Sequence, residues 1–471
     1  MDLVLLMSGP RLREQLERQL REAVRSGRLA AGTRLPATRA LAADLGVSRG
    51  VVVEAYSQLV AEGWLNANRG GGTRVARSPV APQALRPGPR PRPTVVRFDL
   101  RPGQPDPAAF PRDAYRRALS VAATRLADHH LRYPDGRGAH GLREALAEYL
   151  ARARGVSGGA QQIVVSSGAA QAVGLLLEHL RRDGVRSVAI EDPCWLKVRD
   201  LIEYHGLRPV PVRVDEEGLD VDALARTDAR AVFVTPAHQY PTGIAMAPGR
   251  RSELVSWAAS RGALVIEDDY DAEYRYDRAP VAALQALAPD RVAYVGTASK
   301  TMAPGLRTGW LLPPERLVEP VVRLRSSTLA LPGPFEQHAL AHMIVTGEFE
   351  RHLRRTRLLY RRRRDALIEA LGAQLPELTI AGLAAGLHIL VGLPAGLGDA
   401  DIAEAAGRRG LALHTLGRNC AVTAPRPSAL LLGYSLVAEQ AMPAAIAVLA
   451  DAFREANALR DVGATTGSKR R

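Results

Sequence analysis

Six prolines and no acidic residue lie between Arg77 and Pro93 of this 471-residue chain. Proline fixes φ, removes an N–H donor and pushes its predecessor away from the helical region, so such a stretch sustains neither a helix nor a strand ladder. Residues 77–97 are therefore expected to form an extended, semi-rigid spacer, with the chain folding on either side of it. The two parts, residues 9–76 and residues 98–460, are each long enough to enclose a core.

Charge follows the same division. The net charge is +14, and residues 1–97 contribute +9 of it, 16 arginines against 7 acids. Such a concentration invites a nucleic-acid partner. The two cysteines, Cys194 and Cys420, have neither CxxC nor Cys/His spacing, so no disulfide scaffold and no metal site is expected. Met1 to Pro10 lacks a basic n-region and a long h-region, and no run of 18 apolar residues occurs; a cytoplasmic protein without a membrane partner is the expectation.

Within the first part, Leu12, Leu16, Leu20 and Val24 recur every four residues and predict an amphipathic helix over Arg11 to Arg25. A short helix over Thr38 to Leu45, a turn at Gly46 and a helix from Arg49 to Glu62 capped by Ser48 follow, the layout of a helix-turn-helix. Arg49 and Gly50 then open the helix whose amino end reads base edges in the major groove. Residues 63–75 read as two short strands around a glycine-rich tip, which completes a winged helix.

Leu35-Pro36, Arg39, Leu41-Ala42, Leu45 to Arg49, Val52, Ala55-Tyr56, Leu59, Glu62-Gly63-Trp64 and Gly70 to Thr73 resemble the pattern of the GntR-type winged helix. The resemblance implies that Arg39 and Arg49 contact DNA beside Ser48 and Gly50, with Arg34 and Arg74 on phosphates. Gly50 stands where threonine is commoner.

In the larger part, apolar runs at Ile163–Ser166, Val188–Glu191, Ala231–Thr235, Ala263–Glu267 and Val292–Gly296 alternate with helical stretches. Fully apolar strands between helices mean a mostly parallel sheet covered on both faces, with ligands at the carboxyl edge of the strands. Lys300 follows the last run, in Thr297 to Arg307. A lysine there can form a Schiff base with an aldehyde, and Arg307 can clamp a phosphate, which suggests pyridoxal 5'-phosphate (PLP). Ser167 to Gln171 opens a helix with small residues whose N–H groups can approach a phosphate, and Trp195 can stack on a pyridine. Asp268 and Tyr270, two apart on a strand, face the same way, with Asp269 as the alternate.

Arg101-Pro-Gly-Gln-Pro-Asp106, Tyr133-Pro-Asp-Gly-Arg-Gly138, Ser167-Gly168, Pro241-Thr-Gly243, Asp268 with Tyr270 and Ser299-Lys300 with Arg307 resemble the fold-type I aminotransferases. The resemblance implies an α/β domain with a mostly parallel central sheet and a smaller α+β subdomain over about 320–460. It further implies that Lys300 forms an aldimine with PLP, that Asp268 pairs with the ring nitrogen and that Tyr270 and Tyr240 lie by the ring oxygen. Ser299, Arg307, Gly168, Ala169 and Gln171 would hold the phosphate, and Tyr133 would reach across a homodimer. Together the two halves resemble the MocR/GabR-type regulators, in which a winged helix, a linker and an aminotransferase-like sensor are fused, paired head-to-tail with exchanged domains.

That family resemblance implies a regulator binding a double-stranded DNA operator and sensing PLP or an amine at Lys300; the alternative is a working aminotransferase with an appended winged helix. Leu431 stands where amino-acid aminotransferases carry the arginine that grips the substrate carboxylate, unless Arg426, Arg418, Lys197 or Arg199 substitutes. Physiological turnover is therefore not expected, though residual aminotransferase-like chemistry stays open. Arg354, Arg355 and Arg361 to Arg364 read as a solvated helix face, and Thr465 to Arg471 as a disordered tail.

Overall fold

The computed structural model describes residues 9–68, 72–76, 96–277, 281–326, 331–421 and 427–467, the last nine of these by backbone alone. Gly70, Gly71, nearly all of the expected spacer and Arg426 lie outside the described residues. The chain divides into two compact units, one ending at Pro93 and the other beginning at Thr94.

The first unit holds helices α1 (Leu12–Arg25), α2 (Thr38–Leu45) and α3 (Arg49–Ala61) and a ribbon of β1 (Leu65–Asn68) and β2 (Gly72–Val75). Leu16 and Leu20 of α1 meet Val52, Ala55, Tyr56 and Leu59 of α3 in one apolar core. Gly46 adopts the left-handed conformation that ends α2, which a side chain resists. The Ser48 hydroxyl accepts from the Val51 N–H at 3.4 Å and so starts α3. The ribbon pairs Leu65 with Val75 and Asn68 with Gly72, and Leu35 N–H donates to Thr73 O at 2.8 Å, which ties the wing to the segment before α2.

The second unit is built on eight strands: β3 (Val164–Ser166), β4 (Ser187–Asp192), β5 (Arg208–Asp215), β6 (Gly218–Leu219), β7 (Ala231–Val234), β8 (Leu264–Asp268), β9 (Val292–Thr297) and β10 (Gly309–Leu312). Their order is β3-β10-β9-β8-β7-β4-β5-β6. β4, β5, β7, β8 and β9 run parallel, while β10 is antiparallel to β9 and β3 and β6 is antiparallel to β5. Successive residues bury on opposite faces: Val164, Ile190, Phe233, Ile266 and Val295 on one, Val165, Ala189, Val232, Val265 and Tyr294 on the other. Two buried faces account for the absence of polar alternation in these strands.

β10 was not among the strands expected from sequence. It fits against β9 because Gly296 has no side chain: a Cβ there would stand 2.2 Å from Trp310 Nε1.

A second sheet, in the smaller part of the unit, has β11 (Thr379–Ala381), β12 (His388–Gly392), β13 (His414–Thr415) and β14 (Ala429–Gly433) in the order β11-β12-β14-β13, all antiparallel. Phe98–Asp99 pairs with Leu411–Ala412, so the start of the unit joins this subdomain. Two expectations are corrected. The final helix runs from Met442 to Gly467, so Thr465 to Gly467 are helical rather than a disordered tail. Arg363 does not belong to a solvated face: it is buried, donates to Asp106 Oδ2 at 2.9 Å and also bonds Ser435 O.

Candidate functional site

The parallel strands end along one edge, and the loops beyond β3, β7, β8 and β9 meet there. Lys300 follows β9, is half-buried, and donates from Nζ to Gly103 O. Burial lowers its ammonium pKa, and Asp271 and Asp268 partly offset this. Asp268 closes β8 with Oδ1 buried and without a hydrogen-bond partner. Burial pushes its carboxyl up to about 7, with Lys300 opposing. A buried carboxylate oxygen without a donor costs about 1–3 kcal/mol, so this position is made for a ligand N–H.

The period of two separates neighbours along the chain. Asp269 turns to the opposite side and takes a bidentate ion pair from Arg154, Nε to Oδ2 at 2.6 Å and Nη2 to Oδ1 at 3.0 Å, with the Tyr294 hydroxyl at 2.7 Å. It is therefore part of the core and not an alternate to Asp268. The Tyr270 hydroxyl lies 3.0 Å from His238 Nδ1, which also faces the two Asp271 oxygens at 3.2 and 3.0 Å. Gly386 closes over this pair at φ +69; a Cβ there would fall 2.2 Å from His238 Cε1 and 2.6 Å from Asp271 Oδ2. Sequence reasoning assigned no role to His238 or Asp271. Their signal was positional, one in the loop after β7 and the other one residue beyond Tyr270.

A second cradle lies at the start of the helix Ala169–Arg182. Gly168 caps it with φ 89, and a Cβ at Gly168 would stand 3.7 Å from an Arg307 guanidinium nitrogen. Arg307 itself is left-handed, φ 50. The Ser299 hydroxyl shares a hydrogen bond of 2.9 Å with Thr297 Oγ1 in the same loop. Open N–H groups, a guanidinium and a hydroxyl suit a phosphate. Gln171 differs from expectation in that its Oε1 is already taken by the Ser167 N–H at 2.7 Å, so it shapes the turn.

Trp195, half-buried, caps the helix Leu196–Tyr204, and the Tyr240 ring stands edge-on to Tyr270 with centroids 6.1 Å apart. Burial pushes the Tyr240 hydroxyl up to about 12, so it stays protonated. Tyr133 does not join them: it is 92% exposed. Of the suggested substitutes for a carboxylate anchor, Arg199 pairs with Glu203 on its own helix at 3.3 Å, and Lys197 and Arg418 are exposed. Leu431 is fully buried.

In the first unit Arg34, Arg39, Arg49 and Arg74 are exposed, as are Ser48 and Gly50 at the start of α3. Arg74 donates to Gly32 O at 3.0 Å, and the Arg34 side chain lies against Gly72 of the wing. Among the described residues no cluster of three or more His, Cys, Asp or Glu can hold a metal, and no helix is long and apolar enough to cross a membrane.

Comparison with known proteins matches residues 110–409 to the family "Aminotransferase class I and II" and residues 12–75 to "Bacterial regulatory proteins, gntR family". The probable rhizopine catabolism regulatory protein MocR of Rhizobium meliloti is 33% identical over 463 residues, 94% of each chain. The chain belongs to the MocR-type family of helix-turn-helix transcriptional regulators. The pyridoxine biosynthesis transcriptional regulator PdxR of Corynebacterium glutamicum is 36% identical over 80% of this chain and 82% of that one. Among solved structures, kynurenine aminotransferase of Pyrococcus horikoshii is similar at 27% identity and a TM-score of 0.69, covering 77% of this chain and 91% of that chain.

As a MocR-type regulator the chain joins a DNA-binding winged helix to an aminotransferase-like domain of the class that depends on PLP. The residues present fit that cofactor: an unpartnered buried acceptor at Asp268, a half-buried amine of lowered pKa at Lys300, and a glycine cradle beside Arg307.

Proposed function

We propose that this MocR-type regulator holds PLP at Lys300 and changes its hold on an operator when PLP itself or an amine effector occupies the site. The observation that carries this is the placement of the Lys300 amine, held among the described residues only by the Gly103 carbonyl, and the buried, unpartnered Asp268 Oδ1 at the carboxyl edge of one sheet. When bound, PLP supplies an aldehyde carbon open to attack by primary amines. Asp268 accepts the pyridine N–H and keeps its own charge through that bond. Lys300, with its pKa lowered by burial, offers a larger fraction of neutral, nucleophilic amine than a solvated lysine. Tyr270 and Tyr240 flank the ring oxygen, Trp195 covers the ring, and Ser299, Arg307, Gly168 and Ala169 take the phosphate, with Gln171 ordering their turn.

The exposure of Tyr133, beside Leu131 at 58%, supports a homodimer in which a second copy covers this segment and Tyr133 reaches the other site. Exchanged, head-to-tail winged helices would then sit on two half-sites. Residues 9–76, 77–97 and 98–460 remain our reading of the domain boundaries, and the cytoplasm our reading of where the protein acts. The relation of the Corynebacterium glutamicum protein to pyridoxine biosynthesis favours PLP as the signal. The likeness to kynurenine aminotransferase favours turnover as a second reading. The buried Leu431 speaks against turnover of ordinary amino acids.

Operator binding by the purified protein, measured with and without PLP and then with a panel of amines, tests the proposal; an affinity unmoved by any of them would refute it. Arg49→Ala is expected to weaken operator binding about 5- to 150-fold, the value of one base contact. Arg74→Ala should weaken all sequences alike and flatten the salt dependence by about one unit of slope. Titrations at several salt concentrations read both effects.

A further inference from the structure

The register of the smaller sheet decides what faces the cofactor edge. His388 pairs with Gly433, Leu390 with Leu431, and His414 with Leu431 on its other side. Directly paired residues share a face, so His388, Leu390, Leu431 and His414 line one side. Ile389, Val391, Leu430 and Leu432 line the other and belong to the subdomain's core.

The His388 ring stands against Tyr240 and His238, with centroids 5.3 and 5.4 Å away, and is 3% exposed. Its Nε2 lies 3.2 Å from Pro241 O. A carbonyl only accepts, so Nε2 carries the hydrogen and Nδ1 presents a bare lone pair. That Nδ1 is buried and has no partner. Burial first, and then the charge of His238, hold the imidazole down at about 3, so the ring stays neutral.

We propose that the effector side of this site takes an amine bearing a hydroxyl or second amine at its far end and no carboxylate, with His388 Nδ1 accepting that group's hydrogen. This rests on the cofactor reading above and adds the chemical class of the effector. On this face of the smaller sheet a carboxylate meets no cation: His388 presents a bare lone pair, Leu390 and Leu431 are aliphatic, and burial lowers the pKa of His414. Arg101 is spent on Asp99, with Nε to Oδ1 at 2.9 Å. Arg418, whose charge acts on Tyr240 and His414, is exposed, and a solvated guanidinium holds a carboxylate weakly. A hydroxyl or amine instead satisfies the orphan nitrogen, and a site with such a group rejects analogues that leave it unpaired.

The test uses full-length protein loaded with PLP and follows the visible band and the heat of binding. The probes are ω-amino alcohols of two to five carbons, with ω-amino acids and alkylamines of matched length. The best amino alcohol is expected to act at about tenfold lower concentration than its matched amino acid or alkylamine. His388→Leu should erase the advantage over the alkylamine, and Leu431→Arg should turn the preference to the amino acid. Should His388→Leu fail to take up PLP, Leu431→Arg decides alone. Equal responses across the classes, no response to any of them, or an amino-acid response that wins and is lost in Arg418→Ala would overturn the proposal. Absence of a visible band before any amine is added would instead refute the cofactor assignment beneath it.

Discussion

Lys300→Ala is expected to abolish the visible absorbance band of the PLP-loaded protein. Position 300 is the half-buried lysine at the carboxyl edge of the sheet, on the same edge as the carboxyl of Asp268 and the glycine cradle beside Arg307. Removing the amine leaves the phosphate contacts and the ring-nitrogen acceptor in place, so the variant should still take up PLP without covalent attachment and release it on dialysis. Absorbance spectra before and after dialysis read this directly. A variant that kept the wild-type band through dialysis would place the attachment at another residue. Operator affinity without PLP should be unchanged, because the winged helix has a core of its own.

The second large effect concerns stability and separates two adjacent aspartates. Asp269→Ala leaves the Arg154 guanidinium, 1% exposed, without its counter-ion. Breaking a buried pair from one side costs about 3–5 kcal/mol, a large share of the roughly 5–15 kcal/mol that keeps a domain folded. The urea midpoint should fall accordingly, and the Tyr294 hydroxyl loses its acceptor as well. Asp268→Asn should do the reverse in protein freed of PLP, raising the midpoint, since it removes a buried charge whose Oδ1 no donor meets.

The pH dependence follows from the same difference. Burial raises the Asp268 carboxyl from 3.8 to about 7, so the folded chain holds a proton that the unfolded chain has released. Its contribution to stability is complete at low pH and is lost as pH climbs through about 7. PLP-free protein should therefore lose stability over that interval, with a shallower slope in Asp268→Asn. Equal slopes would mean that Asp268 is ionised in the folded chain.

Much of this arrangement is legible in the chain's local chemistry. Four-residue spacing predicts α1, the Gly46–Ser48 turn predicts the junction of α2 and α3, and unbroken apolar runs predict the buried parallel strands. Each depends on backbone geometry within one or two turns, which a short window contains. The period of two likewise predicts that residues 268 and 270 share a side. β10 escaped because Gly-Trp-Leu-Leu is too short to signal by itself, and its place depends on a gap at Gly296.

What local pattern could not supply is which side chains meet across long separations. Arg154 and Asp269 are 115 residues apart, His388 and Pro241 are 147 apart, and Arg363 and Asp106 are 257 apart. Nothing in the surroundings of any one of these residues names its partner, because the pairing is settled only when two subdomains and both faces of a sheet close around it. The chain's own periodicities thus dictate its helices, its strands and the edge that collects the reactive groups. Packing determines which of two neighbouring aspartates is a structural ion and which is an open acceptor, and that the position at 431 meets a neutral histidine face instead of a cation.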